Sequence, residues 1–407
     1  MANGTWRSCA ANSRQRPPSW ARRRALSISE ARRPPLRAAG GALRVFNRSR
    51  KEQRMTRICI VGAGAVGGYV GAHLARAGVD TTLVDAWPEH VEAMRREGLN
   101  VSGMNGMDGA GAVQAKVRAL HVGEVAQLAR EAAFDVAFIA VKSYDTAWAT
   151  QLILPLLAPT GCVVSLQNGI NEDSIAAIAG WERTLGCSVS ALAAELVAPA
   201  RIVRNSPLGD EKKWGMRVGE LHGRVTPRAE AISALLAHGD TSRVTTNLWG
   251  ERWSKLTINA MRNGVCALTG LSGKQRDMNE VARELTIRLG SSSIRVGRAL
   301  GLALEPVGGL DLDLLARAEE DAAAREAITR MILEVANSRS DGQRPSMGQD
   351  IQKGRRTETE YINGLVARRG EEVGVDVRYH RRVNEIIGRI ERGELVPSPD
   401  LLAEVMG

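Results

Sequence analysis

Metal-ligand spacing is missing from this 407-residue chain. Its five cysteines (Cys9, Cys59, Cys162, Cys187, Cys266) include no C-x-x-C pair, and its six histidines (His73, His90, His121, His222, His238, His380) stand apart from one another. No metal site is expected, and the cysteines read as reduced thiols in or near a core. Also lacking are an apolar run of about 18 residues and the apolar segment of a secretory signal, so the body is expected to be soluble and cytoplasmic with no membrane partner. Charge of one sign is scarce once the chain is divided. Residues 1–54 hold thirteen Arg, one Lys and two Glu, so the formal +10 of the whole is +12 for this segment and −2 for the remaining 353 residues. The positive charge therefore implies no nucleic-acid partner for the body.

The basic segment, with "RQRPPSWARRRALSISEARRPPLRAAGGALRVFNRSRKEQR", is rich in Arg, Pro, Ser and Ala and has no apolar periodicity. It is expected to be a disordered or non-native extension. Three readings stay open: translation that starts at Met55, where "MTRICIVGAGAVGG" begins a strand at once; an Arg-rich, acid-poor targeting peptide; and an arm for nucleic acid.

From Met55 onward strand and helix signals alternate. "RICIVG" reads as a strand, "AVGGYVGAHLARAG" as a helix, "DTTLVDA" as a second strand and "PEHVEAMRREG" as a helix. "DVAFIAV", "TAWATQLILPLLA", "CVVSLQNG" and "NEDSIAAIAG" continue the series. Repeated units of this kind build a parallel sheet with helices on both faces. "GCSVSALAAEL", "ARIVRN" and "KWGMRVGEL" read as further strands along its far edge, and "TPRAEAISALLAHG" as a returning helix. After Asn247 the pattern changes to long amphipathic helices. The expected organisation is an extension at 1–54, a dinucleotide-binding domain at 55–246, a helical substrate domain at 247–395 and a tail at 396–407. The fold class is α/β: an N-terminal Rossmann-type doubly wound parallel sheet followed by a mostly α-helical C-terminal domain.

"VGAGAVGGYVG" places Gly62, Gly64 and Gly67 in G-x-G-x-x-G spacing between the first strand and first helix, with Ala63, Ala65 and Val66 in the same turn. Gly62 permits the tight turn, Gly64 lets backbone approach a pyrophosphate, and Gly67 lets helix pack closely on sheet. Asp85 ends the second strand, where a carboxylate accepts the adenosine ribose hydroxyls and repels a 2′-phosphate, which argues for NADH. A cap for the next helix is the alternative role of Asp85. Lys142 and Asn168 follow the next two strands, on the edge where a cofactor lies. Lys142 reads equally as a surface lysine, and Asn168-Gly169 as a turn.

Lys255, Asn259 and Asn263 recur every fourth residue in "WSKLTINAMRNGVCALTG" and form one polar stripe on an apolar helix. In a cleft between domains such a lysine can protonate a carbonyl oxygen while the amides bind substrate oxygens. On the helix alone, a surface lysine and two amides bonded to a neighbouring helix fit as well.

"GAGAVGG", "VKSYDT", "LQNG", "KLTINAMRNGVCALTG" and "SMGQDIQKGRRTETEYINGLV", in this order from Met55 to about residue 395, resemble the ketopantoate reductase (2-dehydropantoate 2-reductase) family. The resemblance implies that Lys255 is the proton donor, that Asn259 and Asn263 bind substrate, that Ser346 binds the substrate carboxylate, and that Glu358 is a catalytic acid that sits beside cofactor and substrate and helps hold the site together. Asn168 and Lys142 fall on cofactor-contacting positions, and the Asn168 amide can bond either nicotinamide ribose or substrate. The implied activity is reduction of ketopantoate to D-pantoate, in pantothenate biosynthesis, with NADPH. Two features depart from the pattern. "LVDAWPEH" lacks the Arg with which members using NADPH often follow the second strand, and "LSGKQRD" lacks an asparagine that some members offer to substrate. An NAD-dependent D-2-hydroxyacid dehydrogenase acting on a bulkier acid, a β-hydroxyacid dehydrogenase and a non-catalytic dinucleotide sensor are the alternatives. The expected partner is a small 2-oxo acid. A homodimer is compatible with this reading, and the sequence does not specify assembly.

Overall fold

The computed structural model describes residues 56–103, 109, 111–190, 192–306, 308–337 and 344–407. The readings of residues 1–54, of Cys9 and of a start at Met55 lie outside these residues. The strands are β1 (Arg57–Val61), β2 (Asp80–Asp85), β3 (Leu99–Ser102), β4 (Val113–Ala115), β5 (Arg118–His121), β6 (Phe134–Ile139), β7 (Leu157–Ser165), β8 (Thr184–Val189), β9 (Ala194–Ala198), β10 (Arg201–Arg204), β11 (Met216–Glu220) and β12 (Ser242–Val244). Between them run α1 (Ala65–Arg76), α2 (Pro88–Glu97), α3 (Thr146–Ile153), α4 (Glu172–Ala179) and α5 (Pro227–Leu236).

Eight strands form one sheet in the order β12-β11-β8-β7-β6-β1-β2-β5, parallel throughout except for the β11–β8 pair. All five residues of β1 are buried, as a central parallel strand covered on both faces requires. Its alternate residues serve two cores. Ile58 and Ile60 pack with residues of α1 and α5, while Cys59 and Val61 pack with residues of α3 and α4. The fold is therefore a Rossmann-type doubly wound sheet. The chain turns opposite ways from β1 and β6, which makes the carboxyl ends of these two neighbours the switch point where such sheets bind ligands.

The far-edge assignment needs correction. β8 and β11 join the main sheet, but β9 and β10 form a separate four-stranded sheet, β4-β3-β10-β9, with β10 parallel to β3. Small residues on α1 explain why. A Cβ at Gly68 would lie 2.6 Å from Ile202 Cδ1, so the bare glycine face of α1 is what seats this second sheet. β5, a short edge strand, carried no alternation strong enough to be read from sequence.

The rest of the chain is α6 (Leu248–Thr269), α7 (Gly273–Met278), α8 (Glu280–Ala299), α9 (Leu312–Arg317), α10 (Ala322–Asn337), α11 (Ser346–Gln352), α12 (Thr359–Glu372), α13 (Arg378–Glu391) and α14 (Leu401–Met406). α6 stops at Gly270, whose φ of +72° suits glycine at a helix end. α13 buries Tyr379, Val383, Ile386, Ile387 and Ile390, the spacing of one helical stripe. Residues 396–407 are not a loose tail: Leu402 and Val405 of α14 are buried in the same core. Among the described residues no helix is long and apolar enough to cross a membrane.

One buried ion pair ties the second sheet to the first. Arg204 on β10 and Asp240 before β12 are both fully buried, 2.6 Å apart, and Arg204 also donates to Tyr69 Oη of α1 at 2.7 Å. Arg204→Met leaves the Asp240 carboxylate buried without its cation. It is expected to lower the unfolding free energy by about 3–5 kcal/mol in equilibrium urea denaturation; a loss below about 1 kcal/mol would show that the pair is not holding the sheets together.

Candidate functional site

Three groups of side chains converge on the carboxyl edge of the main sheet. The first is the glycine turn. Gly62 has φ +97°, and a Cβ there would lie 2.6 Å from Val141 N, so the turn is pressed against the end of β6. A Cβ at Gly67 would meet Gly62 O at 2.0 Å. At Gly64 a Cβ would meet nothing within 4 Å, so the backbone there faces open space. Gly64 caps α1 without a side chain, and the first turn, with Ala65 and Val66 partly exposed, carries no acidic residue. Its N–H groups and positive dipole end are thus free for a phosphate. These features fit a dinucleotide cradle.

The Asp85 carboxylate bonds two backbone amides at the strand end, and Trp87, not Asp85, is the cap residue of α2. Asp85 Oδ1 accepts from Trp87 N at 2.9 Å, before α2, and its Oδ2 accepts from Ala63 N at 2.7 Å, in the glycine turn. Each oxygen retains a lone pair for a hydroxyl donor. His90 clamps the same turn from below. Its Nδ1 accepts from Ala200 N at 2.9 Å, so Nε2 carries the proton and donates to Ala63 O at 2.9 Å. Sequence reasoning treated His90 only as a non-ligand; its partner Ala200 is 110 residues away, beyond any local pattern.

The second group centres on Glu358, which is 2 % exposed and precedes α12. Its Oε1 accepts from Ser143 N at 3.0 Å and Ser143 Oγ at 2.8 Å. Its Oε2 accepts from Asn168 Nδ2 at 3.4 Å and lies 3.7 Å from Lys142 Nζ. Lys142 Nζ also pairs with Asp350 Oδ2 at 2.5 Å. Burial alone would lower the proton affinity of Lys142, but the Glu358 and Asp350 carboxylates outweigh it and raise the pKa above the ordinary value. Lys142 is therefore a fixed cation at the end of β6. Asp350 was not identified from sequence, although it sits in the quoted "SMGQDIQ"; burial pushes its carboxyl up against the pull of Lys142. Ser143 and Asn171, which donates to Asn168 O at 2.8 Å, complete the network.

The third group is the stripe on α6. Asn259 Nδ2 reaches Asn168 Oδ1 at 3.5 Å, which joins the helix to the Asn168–Glu358 pair. Lys255, one turn earlier and partly exposed, makes no hydrogen bond or ion pair with a described residue. Burial first, and the Arg252 charge second, lower its pKa to about 8 against the opposing pull of Cys187 and Glu358. Asn263 is 7 % exposed, and its amide likewise has no described partner. Ser346 opens α11, whose Gly348 lies against Cys266 on the later turns of α6, and its hydroxyl bonds to no described residue. Hydrogen bonds together with the Lys142–Glu358 ion pair thus bring together Lys142, Asn168, Asn259 and Glu358. These contacts do not connect Lys255, Asn263 or Ser346 to them.

Arg252, three residues before Lys255, was missed because it looks like an ordinary helix-surface arginine. It is fully buried and bonds Glu172 Oε1, Gln167 O at 2.7 Å and Ser165 Oγ at 2.8 Å. Room for Glu172 exists because β8 has a glycine there: a Cβ at Gly186 would lie 2.4 Å from Glu172 Oε1. Arg252 therefore fixes α6 to the strand end that carries Asn168. Among the described residues no group of three or more His, Cys, Asp or Glu is placed to hold a metal ion.

Residues 58–212 match the family model described as ketopantoate reductase PanE/ApbA, and residues 247–391 match its C-terminal counterpart. A 2-dehydropantoate 2-reductase of Archaeoglobus fulgidus is 28 % identical over 341 residues, covering 84 % of this chain and 99 % of the relative. A PanE/ApbA family ketopantoate reductase from Ralstonia eutropha JMP134 superposes with TM-score 0.66 at 26 % identity, covering 83 % of this chain and 99 % of the other. D-mandelate dehydrogenase with NADH and anilino(oxo)acetate shares the fold, with TM-score 0.68 at 23 % identity over 83 % of this chain and 99 % of its own.

The electrostatics of the stripe are open to measurement. The Lys255 ammonium is expected to lose its proton as pH rises through about 8, followed by the pH dependence of its labelling with an amine-reactive reagent and peptide mass spectrometry. In the double variant Arg252→Leu, Glu172→Leu, which removes both buried charges together, the midpoint moves up toward the ordinary lysine range, because a repelling cation has gone. An unchanged midpoint would show that Arg252 does not act on Lys255.

Proposed function

The chain belongs to the ketopantoate reductase family, whose members are nicotinamide-dependent oxidoreductases acting on CH–OH groups, and we propose that it reduces ketopantoate to D-pantoate with Lys255 as the proton donor. The observation that carries this reading is an unpaired lysine, its proton affinity lowered to about 8, one turn from an amide that reaches Asn168 at the switch-point edge. A dinucleotide on the glycine turn, with Asp85 and Lys142 beside it, would supply the hydride.

The chain's own residues account for the remaining steps. Asn259 and Asn263 have amides facing the side of α6 that carries Lys255, and they bind the oxygens of the 2-oxo acid. Ser346 receives its carboxylate. Lys255 donates its proton to the carbonyl oxygen as negative charge develops there, and the ammonium stabilises that charge before transfer is complete. A lysine titrating near 8 is a better acid at neutral pH than one titrating at 10.5, while still being mostly protonated. Glu358 holds Ser143 and Asn168 in place and balances the Lys142 charge beside the cofactor.

One observation favours a second reading, in which the side-chain pocket takes a bulkier 2-oxo acid. In the stretch after Gly270, Ser272 and Gln275 close on each other in a capping box, with Gln275 Oε1 accepting from Ser272 N at 2.9 Å and Ser272 Oγ from Gln275 N at 3.2 Å. The Gln275 oxygen is thereby taken up by the helix cap, and the stretch from Leu271 to Asp277 contains no asparagine to hold a hydroxyl of ketopantoate.

Initial rates on ketopantoate and on a bulkier 2-oxo acid separate the two substrates. For whichever is turned over, Lys255→Ala is expected to lower kcat by roughly 10²- to 10⁴-fold with cofactor affinity intact. The wild-type rate is full below pH about 8 and falls as pH rises through that value, because the acid form of Lys255 is lost. Near-normal turnover by Lys255→Ala would remove the lysine from this role.

A further inference from the structure

Residues 353–356, K-G-R-R, run between α11 and α12 and touch the first half of the chain at three points. Lys353 Nζ pairs with Glu195 Oε1 of β9 at 2.7 Å. The Arg356 guanidinium lies 4.6 Å from the Tyr144 ring centroid, and Tyr144 Oη donates to Arg356 O at 3.4 Å. Between them the Arg355 guanidinium lies over the Trp87 ring, 5.9 Å from its centroid. The segment thus spans the mouth of the crevice from the second sheet to the loops after β2 and β6.

Arg355 differs from its neighbours in making no direct ion pair; its charge acts only at longer range on Asp350, which Lys142 already holds. Lys353 has Glu195, and Arg356 has Glu360 at 3.4 Å. The guanidinium of Arg355 is exposed and forms no hydrogen bond or ion pair with a described residue. What holds it is Trp87, itself fixed: its backbone N–H is bound by Asp85 Oδ1 at 2.9 Å, and its ring stacks on His90 at 5.6 Å between centroids. An unpaired arginine therefore stands over the residue two positions beyond Asp85, the carboxylate at the adenosine-ribose position. Both Asp85 oxygens meanwhile accept backbone N–H bonds, which offset part of the repulsion that a ribose phosphate would meet.

A ribose 2′-phosphate is a dianion with three acceptor oxygens, and the planar fork of an arginine is the side chain that matches it. We propose that Arg355 receives the 2′-phosphate of an NADPH-type dinucleotide, so that phosphate recognition comes from the helical half of the chain and not from a residue following β2. The proposal rests on the reading of the glycine turn as a dinucleotide site. It makes the cofactor's phosphate a bridge between the two halves, and it reverses the preference that Asp85 alone would set.

Titration calorimetry of the full chain with adenosine 2′,5′-bisphosphate and with 5′-AMP tests this without turnover. The bisphosphate is expected to bind more tightly. Arg355→Ala loses that advantage, roughly 10- to 100-fold, while its affinity for 5′-AMP is unchanged, and Arg355→Lys recovers part of the loss. Because the side chain is on the surface, folding of the variants is checked by circular dichroism and is expected to be normal. An undiminished advantage in Arg355→Ala, or a wild-type preference for 5′-AMP, overturns the proposal. If neither nucleotide binds, the dinucleotide reading falls and this proposal with it. If the Arg355-dependent discrimination is seen in a protein that reduces no 2-oxo acid, the proposal stands and the reductase reading fails.

Discussion

Two buried charges, each sent by the helical half of the chain into the carboxyl edge of the sheet, hold the site together. Glu358 enters the end of β6, where Ser143 satisfies one oxygen twice and Asn168 and Lys142 face the other. Arg252 enters the end of β7, where Glu172 and the Ser165–Gln167 backbone receive it. A charge removed from water is stable only where its hydrogen-bonding capacity is met. Each contact therefore allows little play in the distance between α6, α12 and the strand ends. Asn168 lies between the two anchors and is bonded to both Glu358 and Asn259.

The same anchors set the charge of the cleft. Lys142 lies between Glu358 and Asp350 and stays protonated, a permanent cation at the end of β6. Burial and the Arg252 cation act on Lys255 against the opposing pull of Cys187 and Glu358, and its proton is loosely held. Two lysines on one sheet edge thus acquire opposite tendencies from their neighbours, one to keep a charge and one to give a proton away. Divergent tuning of paired titratable groups is how one site separates binding from proton transfer.

Much of this was legible in the chain because it depends on local pattern. The apolar strand "RICIV", the glycine spacing and the four-residue period of Lys255, Asn259 and Asn263 each reflect one element's own geometry. What escaped depends on pairs far apart in sequence. Arg252 and Glu172 are 80 residues apart, and nothing local distinguishes a buried arginine on an amphipathic helix from a solvated one. Asp350 and His90 acquire their roles from Lys142 and Ala200 in the same way. The β9–β10 strands were recognisable as strands, but their sheet was not, since pairing is decided by the bare face of α1. "LVDAWPEH" contains no arginine, yet the fold brings Arg355 over its tryptophan.

The central claim is that Lys255 of α6 and Glu358 before α12 act as one unit at the sheet edge, and a double-mutant cycle in kcat/KM between them tests it most directly. The account predicts that Lys255→Ala combined with Glu358→Gln loses far less than the product of the two single losses, because either change already disables the shared arrangement. Losses that simply multiply would mean that the two residues work independently, and would contradict it.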